Sequence, residues 1–344
     1  MPTEPLRENA GPAGTRQATG QTWLVADVGG TNARFAWVAP GSGRAERIRK
    51  LPVAQFGSPL DAARAYLDEV RAELGEAYRA PGRAAIAVAT AIREDVVELT
   101  NSRWRFSRAA LQRELGLEKL VVLNDFEALA LSLPRLRPEQ YRPWPGAAAP
   151  GTDAALAVIG PGTGLGVAAV VPTRAGWTPV PSEGGHATLA PGDDFESALL
   201  ARARARGDHV SAERLLSGIG LPLLHGVVAE ELGTPGPELA TEDIVARGLA
   251  GNDAACQRTL EVFCALLGSF AGSVALTFGA RSGVYIGGGI VPRLGDRFFA
   301  SAFRERFEAK GRFRPYLAAI PTAVIIDTMA ALDGAVSALE QLSG

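Results

Sequence analysis

The stretch Asp27-Val28-Gly29-Gly30-Thr31-Asn32 combines tight-turn glycines with polar side chains. It lies between the apolar runs 23–26 and 33–38, a pattern that predicts a β-hairpin. The two glycines can adopt positive φ, and successive N–H groups in such a turn form a concavity that binds anions. The Asp27 carboxylate could hold a phosphate-bound Mg²⁺, either directly or through a water molecule. Taken alone, the stretch fits an ordinary polar turn equally well.

A similar unit occurs at Gly160-Pro161-Gly162-Thr163-Gly164-Leu165-Gly166, again between two apolar runs, 154–159 and 167–171. Two strand–turn–strand units predict duplicated α/β domains that face one another. Pro161 has no N–H group, so donors to a phosphate in this loop must start at Gly162. The proline-rich segment 134–152, which separates the two units, is the predicted domain boundary.

Asn124 and Asp125 follow a buried strand predicted at 120–123, at the end where open α/β sheets bind ligands. A carboxylate in this position can take a proton from a substrate hydroxyl. It can equally serve as the N-cap of the helix that follows, because Asp is a favoured cap residue. Asn124 could hydrogen-bond a polyol or only stabilise the turn.

Another polar loop, Glu183-Gly184-Gly185-His186, places a carboxylate and an imidazole beside flexible glycines. Both side chains can make directional hydrogen bonds to a ring of hydroxyl groups. The alternative is a surface turn with a structural imidazole. The spacing does not match a metal site.

Composition narrows the function classes. The chain has 344 residues, a formal net charge of −2 and 47% hydrophobic residues, which indicates a globular protein of about two domains and disfavours a nucleic-acid-binding surface. No apolar run reaches the roughly 18 to 20 residues needed to cross a bilayer.

The apolar segment 262–279 is predicted to be a buried helix with small-residue contacts. Residues 1–20 lack a signal-peptide pattern and are predicted to be disordered. Cys256 and Cys264 are predicted to be buried free thiols, which favours the cytoplasm.

The remaining sequence predicts the elements that position these loops. Further strands are predicted at 45–53, 84–89, 96–99, 284–286 and 323–326, and helices at 59–74, 107–116, 126–133, 194–206 and 328–342. Ser58 and Ser107 are the predicted N-caps of the first two helices. Ser211 is predicted to begin a short helix that carries Glu213.

Six motifs in order resemble those of bacterial glucokinases, which have the actin-like ATPase and sugar-kinase fold. They are Asp27 to Asn32, Asn124-Asp125-Phe126, Gly162 to Gly166, Glu183 to His186, Ser211-Ala212-Glu213-Arg214 with Leu216-Ser217-Gly218, and Gly287-Gly288-Gly289-Ile290. The resemblance implies an α/β, two-domain actin-like ATPase (ribonuclease H-like) fold, with duplicated mixed sheets flanked by helices and an interdomain cleft. Together with the proline-rich boundary, it implies a smaller domain of 21–134 plus 327–344 and a larger one of 135–326, after the extension 1–20.

The resemblance also implies ATP-dependent phosphorylation of D-glucose to glucose 6-phosphate, with Mg²⁺, in a cytoplasmic homodimer. Asp125 is then the catalytic base. The implied sugar ligands are Asn101, Asn124, Asp125, Glu183, His186 and Glu213. The implied nucleotide ligands are Asp27, Gly29, Gly30, Thr31, Asn32, Gly162, Thr163, Gly164, Gly287, Gly288 and Gly289, with Asp27 also near the metal.

Two alternatives remain open at this point: a kinase of the same fold for another hexose, and a sugar-binding regulator without activity. The family commonly has a Pro-x-x-Gly-type turn where this chain has 90–95, and that loop leads to Asn101, so it bears on sugar selectivity. A repressor-type regulator should carry a helix-turn-helix before its kinase domain, and residues 1–22 leave no room for one. Two cysteines cannot form the clustered-cysteine zinc site of the related repressor-and-kinase family.

Overall fold

The computed structural model describes residues 20–90, 92, 94–99, 102–207 and 209–342. The predictions for residues 1–19 and for Asn101 lie outside these residues, as does part of the 90–95 loop. The strands are β1 Trp23–Val28, β2 Asn32–Val38, β3 Glu46–Pro52, β4 Arg83–Val88, β5 Val96–Glu98, β6 Arg105–Ser107, β7 Lys119–Asn124, β8 Tyr141–Pro143, β9 Leu156–Pro161, β10 Leu165–Thr173, β11 Gly176–Ser182, β12 Gly283–Ile286 and β13 Thr322–Ile325. The α-helices are α1 Pro59–Leu74, α2 Arg108–Glu114, α3 Asp125–Ser132, α4 Asp194–Arg204, α5 Leu221–Glu231, α6 Thr241–Ala250, α7 Ala254–Phe278, α8 Val291–Leu294, α9 Asp296–Phe299, α10 Phe303–Glu308, α11 Arg314–Ala318 and α12 Ala330–Gln341.

The two large sheets share one topology, which confirms the predicted duplication. The first has the order β3-β2-β1-β4-β7, and the second has β11-β10-β9-β12-β13 with β8 added at its edge. In each, an antiparallel meander leads into parallel strands. The meander's first turn carries Gly29 to Thr31 in one sheet and Gly162 to Gly164 in the other. The two glycine turns therefore occupy equivalent places in the two halves.

Helices cover both faces of each sheet. Alternate residues of β1 point to opposite sides: Val25 lies in a core shared with the second sheet, while Leu24 and Ala26 pack on the side of α1 and α2. Burial on both faces accounts for the unbroken apolar runs. The shared core is filled by α3 and α12, so these two helices form the layer between the sheets.

The layer between the sheets is packed closely at glycines. A Cβ at Gly334 of α12 would lie 1.7 Å from the Ala128 carbonyl oxygen of α3, so only glycine permits this crossing. A Cβ at Gly160 or Gly166 would fall 2.4 or 2.0 Å from the Phe126 ring. Phe126 thus occupies the space beside β9 and β10 that larger side chains would fill.

The predicted buried helix is α7, which starts earlier than expected, at Ala254. It is long and apolar enough to cross a membrane by length and composition, but 72% of its apolar window is buried inside the protein. Gly268 and Gly272 lie against the Phe303 and Phe307 carbonyl oxygens, which confirms the small-residue contacts. Its two cysteines are buried and free, as predicted.

Several local predictions need correction. Segment 211–220 is a series of turns, so Ser211 does not begin a helix. The short strand β8, which lies within 134–152 and pairs with β13, was not predicted. The 96–99 strand pairs only with β6, apart from the main sheets. Strand β11 and helices α8 to α11 have no counterpart among the predicted elements. The predicted N-caps are confirmed. The Ser58 hydroxyl accepts a hydrogen bond from Asp61 N–H, and the Ser107 hydroxyl accepts one from Ala110 N–H.

Candidate active site

Asp27 lies at the carboxyl end of β1, paired across the hairpin with Arg34. Its Oδ2 accepts a hydrogen bond from Arg34 Nη1 at 2.9 Å. Burial raises the pKa of Asp27, and the guanidinium only partly opposes that rise. The sequence reasoning did not identify Arg34, although its place in the hairpin register was a usable signal.

The turn that follows Asp27 is a three-residue loop closed by a hydrogen bond from Gly29 N–H to the Asn32 carbonyl oxygen at 3.0 Å. Thr31 O accepts from Val53 N–H at 2.9 Å. Within the described chain, no hydrogen bond uses the N–H groups of Gly30 and Thr31. The expected positive φ is absent at both glycines. The anion-binding interpretation therefore rests on free N–H groups and not on left-handed backbone.

Asp125 is the first residue of α3, and the cap is Asn124. Asn124 Oδ1 accepts from Phe126 and Glu127 N–H at 2.9 and 3.4 Å, and its Nδ2 donates to Thr90 O at 3.3 Å. Asn124 therefore serves the turn. Asp125 has no cationic partner in the described structure, and its Oδ1 accepts the Phe126 N–H at 2.9 Å.

Asp125 and Asp27 share one edge of the first sheet. The parallel register aligns Asp27 with Ala87 and Ala87 with Leu123, so both carboxylates leave the carboxyl ends of strands separated by β4 alone. Burial, and then the negative charge of Asp27, raise the pKa of Asp125 to about 6. A carboxyl group with this pKa is ionised near neutrality yet basic enough to accept a proton.

The second glycine loop, 162–164, resembles the first in its free N–H groups. Gly162 N–H donates to Gly164 O at 2.9 Å, and no hydrogen bond in the described chain uses the N–H of Thr163 or Gly164. The turns after Glu213 hold this loop from outside, because Gly218 N–H donates to Gly162 O at 2.7 Å and Ile219 N–H to Thr163 O at 3.2 Å. Phe126, the residue after Asp125, contacts both glycines that flank the loop.

Glu213 connects this loop to the polar loop Glu183-Gly184-Gly185-His186, which we call the sugar loop after its predicted role. Its Oε2 accepts a hydrogen bond from Leu165 N–H at 2.8 Å. A Cβ on Gly164 would lie 2.4 Å from the same oxygen. Glu213 Oε1 is 3.8 Å from His186 Nδ1. The Glu213 carboxylate thus contacts both the second glycine loop and His186 of the sugar loop.

The sugar loop is positioned through its backbone. Glu213 N–H donates to Gly185 O at 2.8 Å, and a Cβ on Gly185 would lie 2.0 Å from Leu165 O. The His186 side chain is 62% exposed, which leaves it available to a ligand. His209 Nε2 lies 3.0 Å from His186 O, a contact that no sequence signal indicated.

The glycines after β12 lie against the second loop. Gly287 N–H donates to Ile159 O at 2.7 Å, and Ile290 N–H donates to Pro161 O at 3.2 Å. Gly288 has φ of +76°, and a Cβ there would lie 2.4 Å from Pro161 O. The predicted nucleotide segments 162–164 and 287–289 are therefore neighbours. Of the predicted ligands, Asn101 alone lies outside the described residues.

The described residues fit a hydrated divalent cation, not a fully protein-ligated metal. They contain no cluster of three or more metal-ligating side chains. The negative charge of Asp27 nevertheless raises the pKa of Asp125, and Mg²⁺ characteristically uses one or two carboxylates while keeping waters and phosphate oxygens as its other ligands.

Comparison with known proteins agrees with this geometry. A family model described as Glucokinase matches residues 24–342. Glucokinase from Chromobacterium violaceum is 51% identical over 312 residues, covering 90% of this chain and 87% of the relative. The structure of a glucokinase from an Antarctic psychrotroph is 37% identical with a TM-score of 0.85, covering 93% of this chain and 99% of the other. At 20% identity and a TM-score of 0.57, a ROK family glucokinase from Streptomyces griseus, solved with glucose and AMPPNP, shares the fold over 92% of this chain and 98% of its own.

Proposed function

The chain belongs to the glucokinase family and phosphorylates D-glucose with ATP, and we propose that Asp125 is the general base that takes the proton of the sugar 6-hydroxyl. The observation that carries this proposal is the setting of Asp125. It is partly buried, lacks a cationic partner in the described chain, has a pKa raised to about 6 and precedes Phe126, whose ring contacts both glycines that flank the second glycine loop.

Phosphoryl transfer depends mainly on positioning and on stabilising negative charge. The two glycine loops offer paired N–H donors, Gly30 with Thr31 and Thr163 with Gly164, that suit phosphate oxygens. We propose that Asp27, Gly29 and Asn32 complete the first phosphate site, Gly162 completes the second, and 287–289 lie beside the adenosine. The carboxylate of Asp125 accepts the hydroxyl proton as the oxygen attacks the γ-phosphorus.

Mg²⁺ would be held by Asp27, directly or through water, with Asp125 close enough to benefit from its charge. When bound, the ion neutralises part of the charge on the phosphates. Arg34 engages one Asp27 oxygen, Oδ2, and leaves Oδ1 for the ion or its water.

The sugar contacts are proposed from the loop geometry. Glu183 and His186 project from the exposed sugar loop, and Glu213 lies behind them with one oxygen facing His186. Asn124 already serves the cap and Thr90, so its contact with sugar stays a prediction, as does that of Asn101.

We further propose that 21–134 with 327–344 and 135–326 are two domains that close around the sugar and exclude water, which would otherwise be phosphorylated. A homodimer and a cytoplasmic location are proposals that rest on the family resemblance and on the free thiols.

A coupled assay over several hexoses with Asp125→Asn tests the proposal. We expect glucose to be the preferred substrate of the wild type and turnover of the variant to fall by roughly 10² to 10⁴. Asp68→Asn, an exposed position on α1, is the matched control and should retain wild-type turnover.

Near-wild-type turnover of Asp125→Asn would overturn the base assignment while leaving the activity intact. A wild-type preference for another hexose would instead favour the alternative acceptor. Loss of activity in both Asp68→Asn and Asp125→Asn would indicate damage to folding.

A further inference from the structure

A cavity lies between the continuation of the sugar loop and helix α7. Its volume is about 340 Å³, within the range of small-molecule sites. One wall is Gly184 with 187–192, the continuation of the loop that carries Glu183 and His186. The opposite wall is the 269–278 end of α7, and 306–310 close the end. We name this space the back cavity.

The body of the back cavity is apolar. Val167, Leu189, Phe270 and Val274 line it, and each is less than a tenth exposed. Such a surface favours a hydrocarbon or aromatic ligand, because contact with it removes apolar area from water.

The charged residues that line the described part of the cavity are cations only, Arg306 and Lys310. Arg306 is already neutralised, since its Nη2 lies 2.6 Å from Glu196 Oε2 and its Nη1 3.3 Å from Asp193 Oδ2. Lys310 is therefore the cation of this lining that has no carboxylate partner among the described residues.

Lys310 is held in place but not neutralised. Its Nζ donates to Ser269 O at 2.7 Å and to Ser273 Oγ at 3.0 Å, and it forms no ion pair with the described carboxylates. Its stem lies against α7, where a Cβ on Gly272 would come within 2.9 Å of Lys310 Cε. An ammonium group has three donors, so one remains for an acceptor from outside. Burial, with Arg306 nearby, lowers the pKa of Lys310, which an anion would reverse.

We propose that the back cavity binds a small amphipathic anion, with its apolar body against Phe270 and Val274 and its carboxylate on Lys310. Pairing with an anion would compensate the half-buried ammonium, which no described carboxylate does. Asp125, His186 and both glycine turns lie outside the cavity lining, so this ligand occupies a place separate from glucose and ATP.

Titration calorimetry with 4-phenylbutyrate tests the site on the full chain. We expect saturable binding that persists at saturating glucose and ATP, and much weaker binding of the neutral 4-phenylbutan-1-ol. Lys310→Gln should weaken phenylbutyrate binding by at least about tenfold, the scale of losing a charge-assisted hydrogen bond. Lys310→Arg should retain most of it, and Lys119→Gln, an exposed lysine on β7, should not differ from wild type.

Thr277→Phe, which adds bulk at a helix position lining the cavity, should also reduce binding without removing a charge. Equal binding by wild type and Lys310→Gln would overturn the proposal, as would displacement by glucose or ATP. Unchanged glucose turnover in Lys310→Gln would show that the variant is folded, so that lost binding reports on the cavity itself.

Discussion

Replacement of Glu213 tests whether one carboxylate serves both substrates. Oε2 accepts the Leu165 N–H at 2.8 Å at the end of the second glycine loop, and Oε1 faces His186 at 3.8 Å. A hydrogen bond to a charged group contributes about 1.5–3 kcal/mol, which corresponds to roughly 10- to 150-fold in an equilibrium constant. Glu213→Ala removes both contacts and leaves the Leu165 N–H without its acceptor.

We therefore expect Glu213→Ala to raise KM for ATP and for glucose, each by about tenfold or more. Glu213→Gln keeps an oxygen that can accept from Leu165 N–H but removes the negative charge beside His186. It should raise KM for glucose while KM for ATP stays within about threefold of wild type. Initial-rate kinetics with each substrate varied at several fixed levels of the other separate the two effects.

Glu69→Gln, an exposed carboxylate on α1, is the matched control. Thermal unfolding of every variant shows whether a change in KM reflects local loss or global destabilisation. A Glu213→Ala enzyme with a normal KM for ATP would refute the role assigned to the Leu165 hydrogen bond, even if glucose binding were lost.

Three further predictions concern Asp125 and its neighbours. Because the base must be ionised, kcat/KM for glucose should fall as pH drops through about 6, and this acid limb should vanish in Asp125→Asn when its residual rate is followed from pH 5 to 8. The folded-state pKa of Asp125 lies above its unfolded value of 3.8, so its contribution to stability is most favourable below pH 4 and is lost as pH rises to about 6. A rise in pKa from 3.8 to about 6 corresponds to about 3 kcal/mol of stability. Asp125→Asn should therefore raise Tm by a few degrees at pH 7.5. Gly166→Ala should lower turnover and reduce stability by about 1–3 kcal/mol, seen as a lower Tm, because its Cβ would lie 2.0 Å from the Phe126 ring. Gly236→Ala, with nothing within 4 Å of its Cβ, should change neither Tm nor turnover. Wild-type behaviour of Gly166→Ala would contradict the packing argument.

Local sequence rules predicted the elements that carry the site. Apolar runs located the hairpin that contains Asp27 and the strand before Asn124, and the duplicated glycine turns correctly indicated two related sheets. Cap chemistry was equally readable at Ser58 and Ser107, because a cap depends on residues within four positions.

Features set by distant contacts were not predictable. The sequence allowed Asp125 as an N-cap, but the helix begins one residue earlier than that prediction and Asn124 is the cap. The turns at 211–220 were mistaken for a helix because their conformation is fixed by backbone bonds to 162–163 and 185–187. The dual contact of Glu213 and the wedge of Phe126 between two glycines follow only from the tertiary arrangement.

Gly29 also departs from expectation in an instructive way. Its φ is not positive, and a Cβ there would meet only Asn32 O at an ordinary 3.5 Å. The protein alone does not require glycine at this position, so any intolerance of Gly29→Ala would report on the nucleotide that this loop is proposed to bind.

The packing of Phe126 against Gly160 and Gly166 has a consequence for which hydroxyl reacts. It holds the start of α3, and hence the proposed base, at a set distance from the second glycine loop, one of the two loops that we propose bind phosphate. A base that cannot move toward a different oxygen leaves regiochemistry to the orientation of the sugar. Substitutions in the sugar loop should then change which hexoses are accepted. They should have less effect on the position at which a hexose is phosphorylated.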